Sequence, residues 1–307
     1  YYIIIILFNI IMQQININSK FRNNYEKTLS TDFIFNLPHE IKNVKSLQYV
    51  SSEFTNIPFS INSRMGSNNF KFIDALNTPH QLIVPEGHYT GSELATQITT
   101  DISNISGLAL NNKPIVEFDV NSRKFRFYNS TGVTQPFALD FTYKLLDTKD
   151  NIYHANFNTI DSKFLTIGWI LGFRKSRYIY ADDYKHDFDT VAGKYKKGIS
   201  SEGVYEKMGL RYFMLMVNDY NNSHKNGLIS TYQNNAMVDN NILAKIRYFI
   251  DSDYYTIDTE CAISSVRKYN GNTDINRLHI KLLDQYGRPI DLNGMDFSLT
   301  LGCEVEN

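Results

Sequence analysis

Cysteine is scarce: Cys261 and Cys303 are the only two in 307 residues. Two thiols cannot build a disulfide framework, and no Cys-x-x-Cys spacing offers a zinc site. Both sit in strand-like stretches and read as buried structural thiols in a reducing compartment. Charge of one sign is also missing. The formal net charge is -1, so there is no global pull toward nucleic acid or an anionic membrane. No apolar run is long enough to cross a bilayer. Tyr1 to Ile11 (YYIIIILFNII) is too short and lacks the basic flank of a signal peptide. It reads as an extension upstream of a start at Met12, or as a β-rich arm that adds to a neighbouring sheet. A membrane anchor is the third choice, and no transmembrane anchor is expected.

Catalytic signatures are missing too. There is no G-x-S-x-G elbow, Walker A loop, H-E-x-x-H pair or Rossmann glycine fingerprint. The seven histidines are scattered without metal-ligand spacing. The densest acidic patch, Asp182, Asp183, Asp187 and Asp189 around His186, could hold a hard cation, but the glycine and terminal Glu of an EF-hand are absent. A solvated loop is the simpler reading. No enzymatic activity, cofactor or metal is expected.

What is present is aromatic and β-forming. The chain is 42% apolar and 21% charged, a globular balance, and its 21 Tyr and 20 Phe favour strands. Its length allows one large β domain or two small ones. Near the C-terminus, Arg277 to Leu283 alternates polar and apolar, Asp284-Gln-Tyr-Gly287 punctuates, and Phe297 to Leu301 resumes the alternation. This predicts a β-hairpin in an antiparallel sheet, with His279 pointing to solvent or an interface. Residues 13–31 read as an extended arm. Thr31 to Leu37 reads as a strand ended by Pro38, and 41–59 as a second extended run.

Thr90 or Ser92 can cap a helix running to Ile102, with Glu93 in its first turn and Leu94, Ile98 and Ile102 on one face. Val116–Val120 and Lys124–Tyr128 flank Asn121-Ser-Arg as a hairpin, and Phe137–Phe141 is a further strand. Residues 142–160 read as loop, Leu165 to Phe173 as a buried turn or short helix, and 174–209 as a surface excursion. Arg211 to Val217 reads as a core strand, and 242–250 as another extended run. About eight to ten short strands with frequent turns make the fold all-β, an antiparallel β-sandwich of jelly-roll type with one short helix and long loop insertions. The expected organisation is an N-terminal arm, 1–30, and a jelly-roll domain, 31–307, with an insertion within 142–240. Trp169, between Gly168 and Gly172, reads as core before it reads as a sugar platform. Lys194-Tyr-Lys-Lys197 reads as a solvated loop before a nucleic-acid contact.

Several segments resemble the jelly-roll capsid proteins, penton or minor capsid, of nucleocytoplasmic large DNA viruses and related virophages. They are Asn18-Ser-Lys-Phe-Arg22 with Ser30-Thr-Asp-Phe33, Leu37 to Val44, Ile83 to Thr90, Leu165 to Arg174, Tyr212 to Asp219 and Gly287 to Leu301. The resemblance implies a virion structural protein that self-associates, as a homopentamer in the penton case, and contacts the major capsid protein and other capsid proteins. It implies assembly in the host cytoplasm and no specific nucleic acid. The alternatives are a minor capsid protein, or a receptor- or carbohydrate-binding β-sandwich on the virion. The interface is expected on the arm, at Phe21, Arg22 and Tyr25, and on the Tyr-rich excursion, at Tyr178, Tyr180, Tyr184 and Tyr195.

Overall fold

A computed structural model of the chain describes residues 10–54, 59–109, 112–129, 136–142, 162–179, 185–189, 194–207, 209–221, 224, 228–233, 236–247 and 262–306. The chain divides into two compact units. The first is Tyr1–Pro58, Ile152–Phe157 and Leu210–Asn307, and the second is Phe59–Asn151 and Asn158–Gly209. As the sequence predicts, the described residues are all-β and their strand pairs antiparallel, with α1 (Gly91–Ser103) the one helix longer than two turns.

Strands are numbered in chain order. The first unit holds β1 (Ile10–Asn18) and β2 (Asp32–Phe54), then β11 (Tyr212–Asn218), β12 (Thr231–Gln233), β13 (Ala236–Met237), β14 (Ile242–Arg247), β15 (Ile263–Ser264), β16 (Arg267–Leu283) and β17 (Phe297–Glu306). Seven of these form one sheet in the order β1-β17-β2-β16-β11-β14-β15. The predicted C-terminal hairpin is corrected here. β16 and β17 do form, but β2 lies between them and pairs with both, so they run in the same direction and do not touch as a ladder. Their alternation encodes which face is buried, not which strand lies alongside.

Pro38 does not end a strand either. It lies inside β2, in a gap where Asn36 pairs with Arg277 and the next pair is Ile41 with Ile275. The ladder is interrupted there, so the missing proline N–H costs no strand bond. A second interruption spans Lys268 to Thr273 and contains Gly271 at φ +116, a conformation open to glycine. Residues 10–18, read from the sequence as part of an arm, are the sheet's outermost strand.

The inner face of this sheet carries Ile15, Ile17, Val44, Leu47, Phe54, Leu278, Ile280, Leu299 and Leu301, all buried. Phe54 stacks on Phe297 at 5.3 Å and tilts against Phe213 at 5.5 Å. β11 is covered on both sides. Met214 and Met216 join a separate cluster with Ile242 and Leu283, which accounts for its unbroken apolar run.

The second unit holds β3 (Asn69–Ile73), β4 (Pro79–Ile83), α1, β5 (Ile115–Asp119), β6 (Lys124–Tyr128), β7 (Ala138–Asp140), α2 (Ile167–Ile170), β8 (Arg177–Ile179), β9 (Lys185–Asp189) and β10 (Lys194–Ser200). Two four-stranded sheets result, β4-β3-β7-β8 and β5-β6-β10-β9. Phe70 of β3 meets Phe127 of β6 edge-on at 6.1 Å, so the sheets face each other across one core. α1 begins with a capping box. Thr90 accepts from the Glu93 N–H at 3.2 Å, and Glu93 accepts from the Thr90 N–H at 2.7 Å. Leu94, Ala95, Ile98 and Ile102 face the core. The excursion 174–209 is not all surface. It supplies β8, β9 and β10, and Tyr178 and Ile199 are core residues.

Candidate functional site

Residues 19–28 form a hydrogen-bonded double turn on the surface of the first unit. Asn18 ends β1, and its side-chain oxygen accepts from the Lys20 N–H at 2.9 Å, turning the chain into a 3-10 turn, Ser19–Phe21. A second turn, Tyr25–Lys27, is entered through Asn24 at φ 53, a left-handed conformation asparagine tolerates. Arg22 ties the two together. Its Nη1 donates to the Ser19 carbonyl at 2.8 Å and to Asp296 Oδ1 at 2.6 Å. Its Nη2 and Nε donate to the carbonyls of Tyr25 and Thr28, both at 3.2 Å.

Asp296, just ahead of β17, anchors the arrangement. It accepts from the Ser19 hydroxyl at 2.8 Å and from the Tyr25 hydroxyl at 2.9 Å. Ser19 Oγ in turn accepts from the Phe297 N–H at 2.9 Å, and the Arg22 guanidinium lies 3.9 Å from the Tyr25 ring centre. Charge-assisted bonds of this kind are shorter and stronger than neutral ones, so the turn is held in one conformation. The result is a rigid support for two aromatics. Phe21 is 72% exposed and Tyr25 is 46% exposed. An ordered aromatic on the surface is the kind of group that anchors an interface, with little further ordering cost on binding.

Of the seven residues expected at an interface, Phe21 and Tyr25 are thus surface-exposed, whereas Arg22 has a side chain only 7% exposed and acts as their positioning residue. Tyr178 is a correction. It is buried at the centre of the second unit, because alternation in β8 turns it inward between exposed Arg177 and Ile179. Its ring packs on Phe173 at 5.0 Å and Phe141 at 6.1 Å. Its hydroxyl donates to Glu202 at 2.7 Å and accepts from the N–H groups of Arg174 and Lys175. Burial, then the bond to Glu202, pushes that phenol well above its ordinary range. Tyr180 and Tyr184 lie outside the described residues, as do Asp182 and Asp183, whereas Tyr195 lies in β10.

Trp169 is half-buried. Phe164 meets it edge-on at 4.6 Å and the Arg174 guanidinium sits 4.0 Å from its ring centre, so one face of the indole is occupied. His279 bonds Asp32 at 2.7 Å from the neighbouring strand β2. Among the described residues no group of His, Cys, Asp and Glu is arranged to hold a metal ion, and no helix is long and apolar enough to cross a membrane.

Sequence reading missed a second polar cluster entirely. Arg267, at the start of β16, is 2% exposed, and its Nη1 donates to Asp219 at 3.0 Å while Nη2 donates to the Asn241 carbonyl at 3.1 Å. Asp219, just past β11, also accepts from the Tyr269 hydroxyl and from the Asn221 N–H at 2.9 Å. Burial, then the Asp219 carboxylate, raises the Tyr269 phenol far above its ordinary range. The cluster clamps the ends of three strands together and offers no open position for a substrate. Partners 48 and 50 residues apart leave no local signal in the sequence.

No protein-family model matches the chain, and no curated protein matches it. Two of the solved structures that are similar match over nearly the whole chain. One is the crystal structure of the mavirus penton protein, 11% identical, covering 97% of this chain and 99% of that chain with a TM-score of 0.45. The other is a chain of the Sputnik virophage solved by cryo-EM, 14% identical, covering 96% and 98% with a TM-score of 0.39.

Proposed function

We propose that this chain is a structural virion protein, a capsid component of the penton type that associates with copies of itself in a ring and with neighbouring capsid proteins. One of the similar chains is described as a penton protein; the reading rests on this chain's own segments and surface. The observation that carries it is the Arg22–Asp296 turn, which spends a charged network on presenting Phe21 and Tyr25 to the outside. A protein that works by assembly needs such pre-set contacts, and stable rings form through heterologous contacts between unlike patches of identical subunits. The polar clusters here are internally satisfied and support structure instead of chemistry.

The test is the mass of the full chain in solution by light scattering, for the natural sequence and for Phe21→Ser. A discrete pentamer, or a simple multiple of one, that Phe21→Ser weakens at least tenfold supports the reading. A natural chain that forms nothing larger than a dimer at assembly concentrations, or a Phe21→Ser variant that assembles unchanged, overturns it.

A further inference from the structure

We infer that the outer edge of β1 pairs with β1 of a second copy of this chain, joining two seven-stranded sheets edge to edge. The argument begins with how the other edges are guarded. An exposed strand edge carries unpaired N–H and C=O groups and invites pairing with another chain, so edges are ordinarily short, charged or broken by proline. β15, at the far side of the same sheet, has two residues, and β12 and β13 have three and two. β8 has three residues and opens on Arg177. β4 opens on Pro79, β5 carries Glu117 and Asp119, and β9 carries Lys185, Asp187 and Asp189.

β1 has none of these devices. It is nine residues long, IIMQQININ, without a charge, a proline or a register shift along its ladder with β17. Among the described residues β17 is its one ladder neighbour. In an antiparallel ladder alternate residues bond toward the neighbour, so the remaining N–H and C=O groups of β1 point outward. Exposed side chains cluster at its first end, with Ile11 at 43% and Met12 at 47%.

The occupant is a second β1 because the strand suits its own reverse. A two-fold axis through an edge sets every residue against its own strand, so a charged edge repels itself, and this one is uncharged. Centred on Gln14, antiparallel pairing over the accessible stretch 12–16 sets Gln13 opposite Ile15 and Met12 opposite Asn16. Odd-numbered residues then meet odd-numbered ones. Ile15 and Ile17, buried on the core side of their own sheet, stay on that side, and exposed Met12, Gln14 and Asn16 meet their counterparts in the second copy on the other. A one-residue slip would break this match. The inference stands apart from the capsid reading, since a two-fold pair and a ring are different symmetries.

The experiment uses the full chain with Gln14→Lys and Gln14→Glu, measured by light scattering and native mass spectrometry at low salt. Gln14 is exposed, and both variants should melt within a few degrees of the natural chain. The expected result is a natural chain of twice the mass of either variant alone, with an equimolar mixture of the two variants restoring the doubled mass. Like charges at the axis separate the pair, and opposite charges restore it. If a ring also forms, the natural mass is twice that of the ring and each variant falls back to the ring alone, which tells failure of pairing from failure of ring formation. Variants that keep the natural mass, or a mixture that fails to recover it, overturn the inference.

Discussion

Replacing Arg267 with methionine leaves the Asp219 carboxylate buried without its cation. The two side chains are 2% and 0% exposed and 3.0 Å apart. At an effective dielectric of about 20, a pair at that distance interacts by roughly 5 kcal/mol, most of it offset by the desolvation of both charges. Removing one partner keeps the desolvation of the other and loses the attraction, so Arg267→Met is expected to cost about 3–5 kcal/mol. Tyr269 and Asn221 still donate to Asp219, which favours the lower end. Replacing both charges, Arg267→Met with Asp219→Leu, removes the buried ions together. The remaining cost comes from the orphaned Tyr269 hydroxyl, about 1–3 kcal/mol, with smaller shares from the part-buried Asn221 N–H and Asn241 carbonyl, and adding Tyr269→Phe should recover the hydroxyl's share. Urea unfolding followed by far-UV circular dichroism reads the strands, while Trp169 fluorescence reports the second unit, where the chain's single tryptophan sits. A single variant that loses under about 1 kcal/mol, or a double variant at least as unstable as the single, refutes the reasoning.

Three further outcomes are expected. Burial alone would raise the Asp74 carboxyl, but bonds from His80, Thr78 N–H and Leu76 N–H outweigh it and hold it below its ordinary value. A depressed folded value stabilises above the unfolded pKa of about 3.9. The melting advantage of the natural chain over Asp74→Asn should therefore be full at neutral pH and shrink as pH falls through the folded value; a pH-independent gap would contradict it. Gly172 has φ +96 and an added Cβ would collide with the Gly203 carbonyl, whereas one on Gly203 meets only the flexible end of Arg174. Gly172→Ala should cost about 2 kcal/mol or more in urea melts, and Gly203→Ala distinctly less. Burial, then the Asp219 charge, pushes the fully buried Cys303 thiol up to about 12. In a Cys261→Ser background it should alkylate only as fast as the fold opens, with the rate rising in urea, and rapid labelling of the folded chain would show the thiol to be accessible.

The sequence by itself determined what depends on neighbours along the chain. The helix at 91–103 was legible because Thr90, Glu93 and the Leu94–Ile98–Ile102 stripe lie within thirteen positions of one another. The β5–β6 hairpin was legible for the same reason, its strands being separated by a few turn residues with Arg123 at φ +54. So was the buried character of β11. Tertiary structure decided the rest. Alternation in β16 and β17 showed that each has a buried face, yet only the assembled sheet inserts β2 between them. Pro38 looked like a terminator until the ladder opened a gap around it. Tyr178 looked like surface in a Tyr- and Lys-rich stretch until β8 paired with β7 and turned it inward. Arg22 drew notice as an arm residue, but its partner Asp296 lies 274 positions away. A residue's periodicity fixes which way it faces. Which distant strand or carboxylate it then meets is set by long-range packing and the closing of large loops, and that energy is not written into any local stretch of the chain.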